Sequence, residues 1–443
     1  MRRFDFPWAA LAGALITLAV MTAWRAVPAD DSCPVDKVIT VAGGRDVSTD
    51  RQRHKAIDAW RGPAGERARL RELSGVADLQ HSQLIASAQS RGCDDDVYIL
   101  DVQWIPEFAR GRYITAIDPD TVELGRFLPV LRAAGRYDGT LWSVPFNTDA
   151  ALLYYRADLL SQAGLRPPRS WTELWRQART LPSRPETGLT GGYTAQLAPY
   201  EGLTVNALEL IWGAGGDVVD GRGNVTVDRP PARRALQQLI DGLGGERPLI
   251  SRAALDHHED SSIREFESGA VAFMRNWPYA YGALANNPDM RGRFGVTTLP
   301  GASVLGGQNL AVAASSPEKG AALSLIAHLT GVEAQRRLFT CGGFAPVRGE
   351  VYAAPGECPD QPTTPGRDRV VRHVPDTAML RRAVETARPR PAGPYYNEFS
   401  RTLQRRLHER LQCLDLSVCD QSADLKSFTD SLADDLRRSL RGH

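Results

Sequence analysis

The sequence lacks any excess of charge of one sign. Its 443 residues contain 53 lysines and arginines against 52 aspartates and glutamates. A nucleic-acid-binding protein would present a basic face or stripe, so this balance argues against nucleic acid as a partner. The chain also lacks low-complexity tracts, and 42% of its residues are hydrophobic, as in an ordinary globular protein. A chain of this length predicts two domains, because single cores stop growing near about 250–300 residues.

The sequence also lacks an arrangement that a metal or a cofactor would need. Residues 256–260, Asp-His-His-Glu-Asp, have the side-chain types of metal ligands but not the spacing of a metal site, and we interpret them as a solvated loop. A glycoside hydrolase would need two carboxyl groups facing one bond, and no such pair can be recognised. We therefore predict a protein that is not an enzyme and uses no metal or cofactor, with a glycoside hydrolase as the enzymatic alternative.

The N-terminal residues 1–33 have the pattern of an export signal. Two arginines precede an uncharged apolar run from Trp8 to Trp24, and small residues follow up to Ala29. The run has about 17 residues, the lower limit for a membrane-spanning helix, so the segment is either cleaved or kept as an anchor. No cysteine follows the run directly, which argues against a lipid anchor. We expect the mature protein at the extracellular face of the cytoplasmic membrane or in the periplasm, with no other membrane contact.

Six cysteines in an exported chain indicate disulfides rather than metal ligands or nucleophiles. Cys33 and Cys93 each lie just before an apolar strand, and two neighbouring parallel strands would bring them together. Two further pairs would each close a short loop. The predicted bridges are therefore Cys33–Cys93, Cys341–Cys358 and Cys413–Cys419; the alternative is that some of these cysteines are free and buried.

An aromatic stretch begins at the carboxyl end of a predicted buried strand, where Trp277 lies. It contains Trp277, Tyr279 and Tyr281, and Pro278 ends the strand. In open α/β sheets, ligands bind at the carboxyl ends of strands, where the loops form a crevice. A tryptophan beside two tyrosines makes a flat apolar wall with polar edges, which is suited to stacking on sugar rings. We predict that Trp277 is such a platform; the alternative is a tryptophan of the core.

Polar side chains occur at two other strand ends. Asp101 follows the strand Asp96 to Leu100, where a carboxylate can accept hydrogen bonds from two neighbouring hydroxyl groups; the alternative is a helix N-cap. The polar triplet Asn147-Thr148-Asp149 lies between two apolar strands. Buried polar groups are costly unless they are satisfied. We therefore predict that the triplet lies at a crossing between domains and faces a wet cleft.

Backbone-determining residues mark two more segments. Gly306 and Gly307 enter an apolar strand, and glycine allows the backbone to approach a ligand closely. Further on, the proline-rich loop from Arg388 to Tyr396 has few backbone conformations and can hold an arginine rigidly over a cleft.

Six motifs of these segments follow one another in a fixed order. They are Asp101-Val102-Gln103-Trp104 after a strand, Gly139 to Asn147 with Leu153-Tyr154-Tyr155-Arg156, Glu201-Gly202-Leu203-Thr204, Ala272 to Tyr279, Gly306 to Val312, and Ala387-Arg388-Pro389. In this order they resemble the extracellular solute-binding protein family that serves sugar ABC importers, and in layout they are similar to maltose- and trehalose-binding proteins. The resemblance covers nearly the whole mature chain. The order and spacing of the motifs are more specific than any single one.

The resemblance implies an α/β protein with the two-lobed, periplasmic-binding-protein-like fold of type II, whose lobes close on a sugar about a hinge. Residues 34–146 and 294–330 are expected to form lobe one, and residues 147–293 and 331–443 lobe two. The matched motifs imply that the sugar is bound by Asp101, Asn147, Trp277, Gly307, Gln308 and Arg388, with Asp46, Asp149 and Glu201 as further binding residues.

The implied function is capture of a sugar, such as the disaccharides trehalose or maltose or an oligosaccharide, and its delivery to the permease subunits of an ABC transporter. The protein is expected to be a monomer. A membrane-anchored carbohydrate sensor or adaptor with the same fold is the alternative from another class. Adjacent permease and ATPase genes would favour import, whereas an adjacent kinase gene would favour sensing.

Overall fold

The computed structural model describes residues 37–90, 92–184, 187–245, 248–358, 374–413 and 424–442, so the predicted export signal lies outside the described residues. The described residues contain the strands β1 (Val38–Gly44), β2 (Arg67–Leu73), β3 (Val97–Asp101), β4 (Arg136–Tyr137), β5 (Thr140–Leu141), β6 (Val144–Ala150), β7 (Leu152–Arg156), β8 (Gly191–Thr194), β9 (Val271–Asn276), β10 (Phe294–Thr298) and β11 (Leu305–Val312).

Helices cover both sides of these strands. They are α1 (Gln52–Ala59), α2 (Ala77–Ser90), α3 (Ile105–Arg110), α4 (Ala157–Gln162), α5 (Trp171–Thr180), α6 (Glu201–Gly213), α7 (Pro230–Leu243), α8 (Glu259–Glu267), α9 (Ala280–Asn286), α10 (Lys319–Leu329), α11 (Val332–Thr340), α12 (Gly349–Ala353), α13 (Thr377–Glu385), α14 (Tyr396–Gln412) and α15 (Leu425–Ser439). The alternation of helices and strands is the α/β organisation that the sequence predicts.

The first sheet has five strands in the order β2-β1-β3-β11-β6. Strand β1 pairs in parallel with β2 and β3, whereas β11 is antiparallel to both β3 and β6. Both faces of the middle of this sheet are covered, and Ile39 of β1, Ile99 of β3 and Leu310 of β11 are fully buried. The carboxyl ends of β1, β3 and β6 therefore share one edge of this sheet.

The second sheet has four strands in the order β10-β7-β9-β8. Its central strand β9 is parallel to β8 and antiparallel to β7, and all six of its residues are buried. Gly269, with φ +79°, separates this strand from helix α8, as expected for a helix that ends at a glycine in the left-handed region. Trp277 thus follows a buried strand, as the sequence predicts.

The chain crosses from the first sheet to the second between β6 and β7, which are separated by Ala151 alone. Asn147, Thr148 and Asp149 lie on β6 just before this crossing, where the sequence places them. The chain returns from the second sheet to the first between β10 and β11. The sheets are therefore connected by the chain at two places, between β6 and β7 and between β10 and β11.

Two segments pack against a different sheet from the one that the sequence predicts. Strand β10, expected in lobe one, pairs with β7 of the second sheet. Helix α11, expected in lobe two, packs against α1, and the residues after it bridge Ala345 to Thr148 and Arg348 to Phe127 beside the first sheet. Short apolar segments fit either sheet, and only the long-range pairing decides between them.

A hydrophobic core, called the second core below, packs against the second sheet, and helix α6 lies at its centre. Every residue from Glu201 to Trp212 is buried, because α7, α14 and the second sheet surround the helix. Helix α5 has a capping residue at its N-terminus: the Ser170 hydroxyl accepts a hydrogen bond from the Glu173 amide at 3.2 Å, and α5 starts at the next residue.

Candidate ligand-binding cleft

A cleft of about 390 Å³ is lined by residues from both sheets and their helices. This volume is in the range of small-molecule sites. The lining includes Gly44, Arg45, Arg53, Asp101, Trp104, Asn147, Asp149, Gly306, Gly307 and Gln308 on the side of the first sheet, and Tyr200, Glu201, His258, Glu259, Asp260, Trp277, Tyr279 and Arg390 on the other.

The floor of the cleft is a row of three polar residues on adjacent strands. Gln308 of β11 lies opposite Asp101 of β3 and also opposite Asn147 of β6. Backbone pairing alone therefore places the three side chains next to one another. Asp101 is not a helix N-cap, because the next helix begins at Ile105 and its N-cap is Trp104. The three residues predicted to bind the sugar at these strand ends do lie together.

Glycines allow the strands of the floor to pack closely. Gly307 has φ +111°, next to an irregularity in the pairing of β11 with β6, and a Cβ atom there would lie 2.3 Å from the carbonyl oxygen of Asn147. A Cβ atom on Gly306 would lie 3.2 Å from the Trp277 ring and also 3.2 Å from the Cβ atom of Asp149. Trp277 and Asp149 therefore approach the same point of the floor from two sides.

Trp277 forms the aromatic wall and is partly buried. The guanidinium carbon of Arg275 lies 3.9 Å from the centroid of its ring. Arg275 is itself fully buried and is held by both carboxylate oxygens of Glu209, at 2.8 and 2.9 Å, and by Gln196 at 3.1 Å. The ring thus has a rigid support, as a stacking platform requires. It also packs against the second core, so the alternative that Trp277 is a residue of the core is correct in part.

Arg390 joins the two sides of the cleft. Its guanidinium donates to Asp101 and to Glu201, each at 2.7 Å, and its side chain is only 3% exposed. Glu201 also accepts hydrogen bonds from Tyr396 and, at 2.6 Å, from Ser400. Burial raises the pKa of the Glu201 carboxyl, although the charge of Arg390 opposes this effect. Glu201 is therefore held by the protein, and it lines the cleft as a supporting residue.

Arg388 is not in the cleft, in contrast to the prediction. Its side chain is 44% exposed, pairs with Asp217 at 2.7 Å, and lies 4.4 Å above the centroid of the Trp212 ring. Arg390, two residues further along the same proline-rich loop, occupies the position expected for Arg388. The sequence Arg-Pro-Arg-Pro offers both arginines equally, and only the folded loop distinguishes them.

Asp46 does not face the ligand side of the cleft either. Its side chain is fully buried, and it accepts hydrogen bonds from the backbone amides of Ser48 and His54, both at 2.9 Å. It also lies 3.7 Å from Arg53. This carboxylate stabilises the turn before α1 and orients Arg53, which in turn donates to Gln308 at 3.2 Å. Its influence on a ligand would be indirect.

Asp149 is the most unusual carboxylate of the cleft. Burial, and to a smaller extent the charge of Asp101, raise the pKa of its carboxyl to about 7. Its one hydrogen bond among the described residues comes from the Asn147 amide at 3.3 Å. A carboxylate in this position can bind donor groups of a ligand without first breaking an ion pair.

Four buried side-chain atoms of the lining have no hydrogen-bond partner in the part of the chain that the structure describes. They are Nε of Arg53, Nε of Arg390, Oδ1 of Asn147 and the hydroxyl oxygen of Tyr200. The two Nε atoms are donors, Oδ1 is an acceptor and the hydroxyl group can be either, and unsatisfied buried groups of this kind cost free energy until a partner fills the cleft. A hydroxyl group can serve as partner to both types.

Sequence reasoning missed several residues of the cleft. Arg53 lies within an ordinary amphipathic helix and Arg45 in a turn, so neither carries a sequence signal. Arg45 forms an ion pair with Asp260 of α8 across the cleft. The ring of Tyr200 lies 4.4 Å from that of His258, in the segment interpreted as a solvated loop. For Tyr200, the available sequence signal was its position directly before the motif that begins at Glu201.

The disulfide predictions have separate outcomes. The bridge Cys341–Cys358 is confirmed. Cys93 and Cys413 are disulfide-bonded as well, but their expected partners Cys33 and Cys419 lie outside the described residues. No cysteine of the described residues is free.

Two other kinds of feature are absent from the described ranges. No group of three or more histidine, cysteine or carboxylate side chains there could hold a metal ion. No helix within those same ranges has the length and apolar character needed to cross a membrane.

The fold and the cleft define a two-lobed binding protein, and comparisons with known proteins identify its family. Residues 74–336 match the bacterial extracellular solute-binding protein family, so the chain belongs to this family. It is 31% identical, over 78% of its length and 82% of the relative's, to a probable ABC transporter-binding protein of Deinococcus radiodurans. The protein is therefore a solute-binding protein of an ABC transporter and not an enzyme.

Solved structures confirm the two-lobed α/β fold. The maltose-bound MalE3 of T. maritima has 29% identity and a TM-score of 0.76, and the alignment covers 90% of this chain and 99% of that one. A solute-binding protein of Thermotoga lettingae bound to alpha-D-tagatose has 22% identity and a TM-score of 0.77, with 91% and 100% covered, which shows the fold alone.

Proposed function

We propose that the cleft binds a sugar, a di- or oligosaccharide of the trehalose or maltose type, and that the protein delivers it to the permease subunits of an ABC transporter. The observation that carries this proposal is the row Asp101, Gln308 and Asn147 beside the supported ring of Trp277. Sugars have hydroxyl groups in the ring plane and apolar faces above it, so they need polar partners and an aromatic wall at right angles.

Two further observations support the proposal. The unpartnered atoms of Arg53, Arg390 and Asn147 are two donors and one acceptor, and a set of hydroxyl groups satisfies both kinds. The relative in T. maritima was solved with maltose bound, and it shares the fold over 90% of this chain.

The proposal also covers the location and the oligomeric state of the protein. Residues 1–33 export the protein and are either removed or kept as its membrane anchor, and the mature protein acts as a monomer outside the cytoplasmic membrane. Mass spectrometry of the N-terminus of the protein isolated from its host separates removal from retention, and light scattering of the purified protein tests the monomer.

A thermal-shift screen against mono-, di- and oligosaccharides tests the proposed ligand. A sugar present at 100 times its dissociation constant should raise the free energy of unfolding by about 2.7 kcal/mol. Calorimetric titration with the best sugar then gives the affinity. The proposal would be rejected if no neutral sugar of the screen changed the melting temperature or gave a heat of binding.

A further inference from the structure

Each arginine that lines the cleft already faces a carboxylate of the protein. The pairs are Arg390 with Asp101 and Glu201, Arg45 with Asp260, and Arg53 with Asp46. No lysine of the described residues lines the cleft. The positive charge of each of these arginines is therefore already balanced by a carboxylate of the protein, and Arg390 is shared between two.

Asp149 is in the opposite situation. No arginine or lysine of the described residues lies at ion-pair distance from it, and its hydrogen bond from Asn147 is long at 3.3 Å. Strand pairing places it opposite Gly306, and the Trp277 ring lies against this same glycine. The unpaired carboxylate thus lies at the point where the aromatic wall meets the polar floor.

The groups that face Asp149 from neighbouring elements do not supply a free positive charge. Asp101 of β3 is a second carboxylate, and Arg275 of β9 is held by Glu209. The remaining neighbours that interact with its charge are phenols whose pKa is raised by burial, so they stay neutral: Tyr154, Tyr279 and Tyr352. The charges that act on Asp149 are therefore that of Asp101 and that of Arg275, which Glu209 balances, so no unbalanced positive charge of the described residues faces the ionised Asp149 carboxylate.

We infer that this cleft selects its sugar by charge, admitting uncharged sugars and excluding those that carry a carboxylate or a phosphate, and that Asp149 is the specificity-determining residue. This inference rests on the proposed function. A hydroxyl group donates a hydrogen bond to the Asp149 carboxylate, whereas an acidic group at the same point brings two like charges together in a partly dry site.

The experiment compares sugars that differ in one group, which is either a primary alcohol or the carboxylate formed by its oxidation. The parent is the best neutral disaccharide of the screen, and its two derivatives carry a carboxylate in place of the primary hydroxyl of one ring or the other. Titration calorimetry at pH 8 on the wild-type protein should show binding of at least one derivative weakened more than about tenfold, roughly 1.4 kcal/mol. In Asp149→Asn this difference should shrink at least fivefold. Asp289→Asn, the same change in an exposed turn outside the cleft, should leave it unaltered.

A pH series on the wild-type protein provides a second measurement that needs no variant. Sugar carboxylates stay ionised between pH 6 and 8, but Asp149, with a pKa of about 7, changes from mostly protonated to mostly ionised. The discrimination against the carboxylate sugar should therefore be larger at pH 8 than at pH 6, and it should be independent of pH in Asp149→Asn.

The outcomes are distinct. Equal affinity for neutral and carboxylate sugars at pH 8 would overturn the inference while leaving the proposed function intact. So would an unchanged discrimination in an Asp149→Asn protein that melts normally and binds the parent sugar. Absence of binding by every neutral sugar would reject the proposed function itself, and this inference with it.

Discussion

The floor and the wall of the cleft are built in different ways. Backbone hydrogen bonds between strands place Asp101, Gln308 and Asn147 side by side on the floor, so their positions are set by the sheet. The wall depends on side chains behind it: the Trp277 ring rests on Arg275, and Arg390 is held by two carboxylates. Floor residues should therefore tolerate exchange of one polar group for another, whereas the wall should fail when a buried charge is removed.

The largest effect that separates wall from floor is expected for Arg390→Ala. Removing this guanidinium leaves Asp101 and Glu201 close together without their cation. Breaking a buried ion pair in this way costs about 3–5 kcal/mol of unfolding free energy. Denaturant unfolding measures the loss.

Arg388→Ala is the matched control, because it removes the same group from the same loop. Its partly exposed pair with Asp217 should contribute no more than about 1 kcal/mol. Equal destabilisation by the two variants would contradict the assignment of Arg390 to the wall and Arg388 to the surface.

The backbone of the floor is tested by Gly307→Ala. Its φ of +111° is unfavourable for any residue with a Cβ atom, and the added carbon would also collide with the Asn147 carbonyl. Strain of this kind costs about 1–3 kcal/mol, and denaturant unfolding should show it.

Gly306→Ala provides the comparison, since its Cβ atom would meet the Trp277 ring at 3.2 Å without a backbone collision. It should lose less stability than Gly307→Ala but weaken sugar binding by displacing the ring. The reverse order of stabilities would contradict the description of the floor.

The ring itself is tested by Trp277→Ala. Loss of a stacked aromatic ring should weaken sugar binding by more than about tenfold, roughly 1.4 kcal/mol, with a smaller loss of stability because the ring is only partly buried. Calorimetric titration beside a melting curve without ligand separates the two effects. Trp142→Ala, another partly buried tryptophan that lies outside the cleft, should leave binding unchanged. A collapse of the melting temperature would show that Trp277 is mainly a core residue.

The smallest effect concerns the ionisation of Asp149 in the ligand-free protein. Its folded-state pKa of about 7 lies above the value of about 3.9 expected when unfolded, so ionisation opposes folding and wild-type stability falls as pH rises between these values. Asp149→Asn removes this penalty. Its stability relative to wild type should therefore increase from pH 4 to pH 7, whereas Asp289→Asn should show no such trend. A difference that is constant with pH would contradict the raised pKa.

Much of the fold was predictable because its signals are local. The buried strand before Trp277 and the crossing after Asp149 each depend on a few consecutive residues, and both are observed. Strand β2 has no comparable signal, because its sequence Arg-Ala-Arg-Leu-Arg-Glu-Leu is that of a polar edge strand, whose Arg69 and Arg71 bond to Thr40 and Asp95.

The site was predictable only in part. The chemical types of Asp101, Asn147, Asp149 and Trp277, and their places at strand ends, could be read from the sequence, because strand ends follow from local patterns. The contribution of Arg53 could not, because a buried arginine in a helix has no local mark before its carboxylate partner is brought near.

The sequence by itself indicated the α/β organisation and the strands that end near Asp101, Asp149 and Trp277, since hydrophobic periodicity and glycine and proline positions act over short distances, and the order of its motifs indicated the solute-binding family. The tertiary structure alone decided which sheet β10 joins, that Arg390 rather than Arg388 enters the cleft, and that Asp46 is buried while Asp149 has no cationic partner among the described residues. These choices depend on contacts between residues far apart in the chain, whose energies exist only once the sheets have paired and the charges have left water.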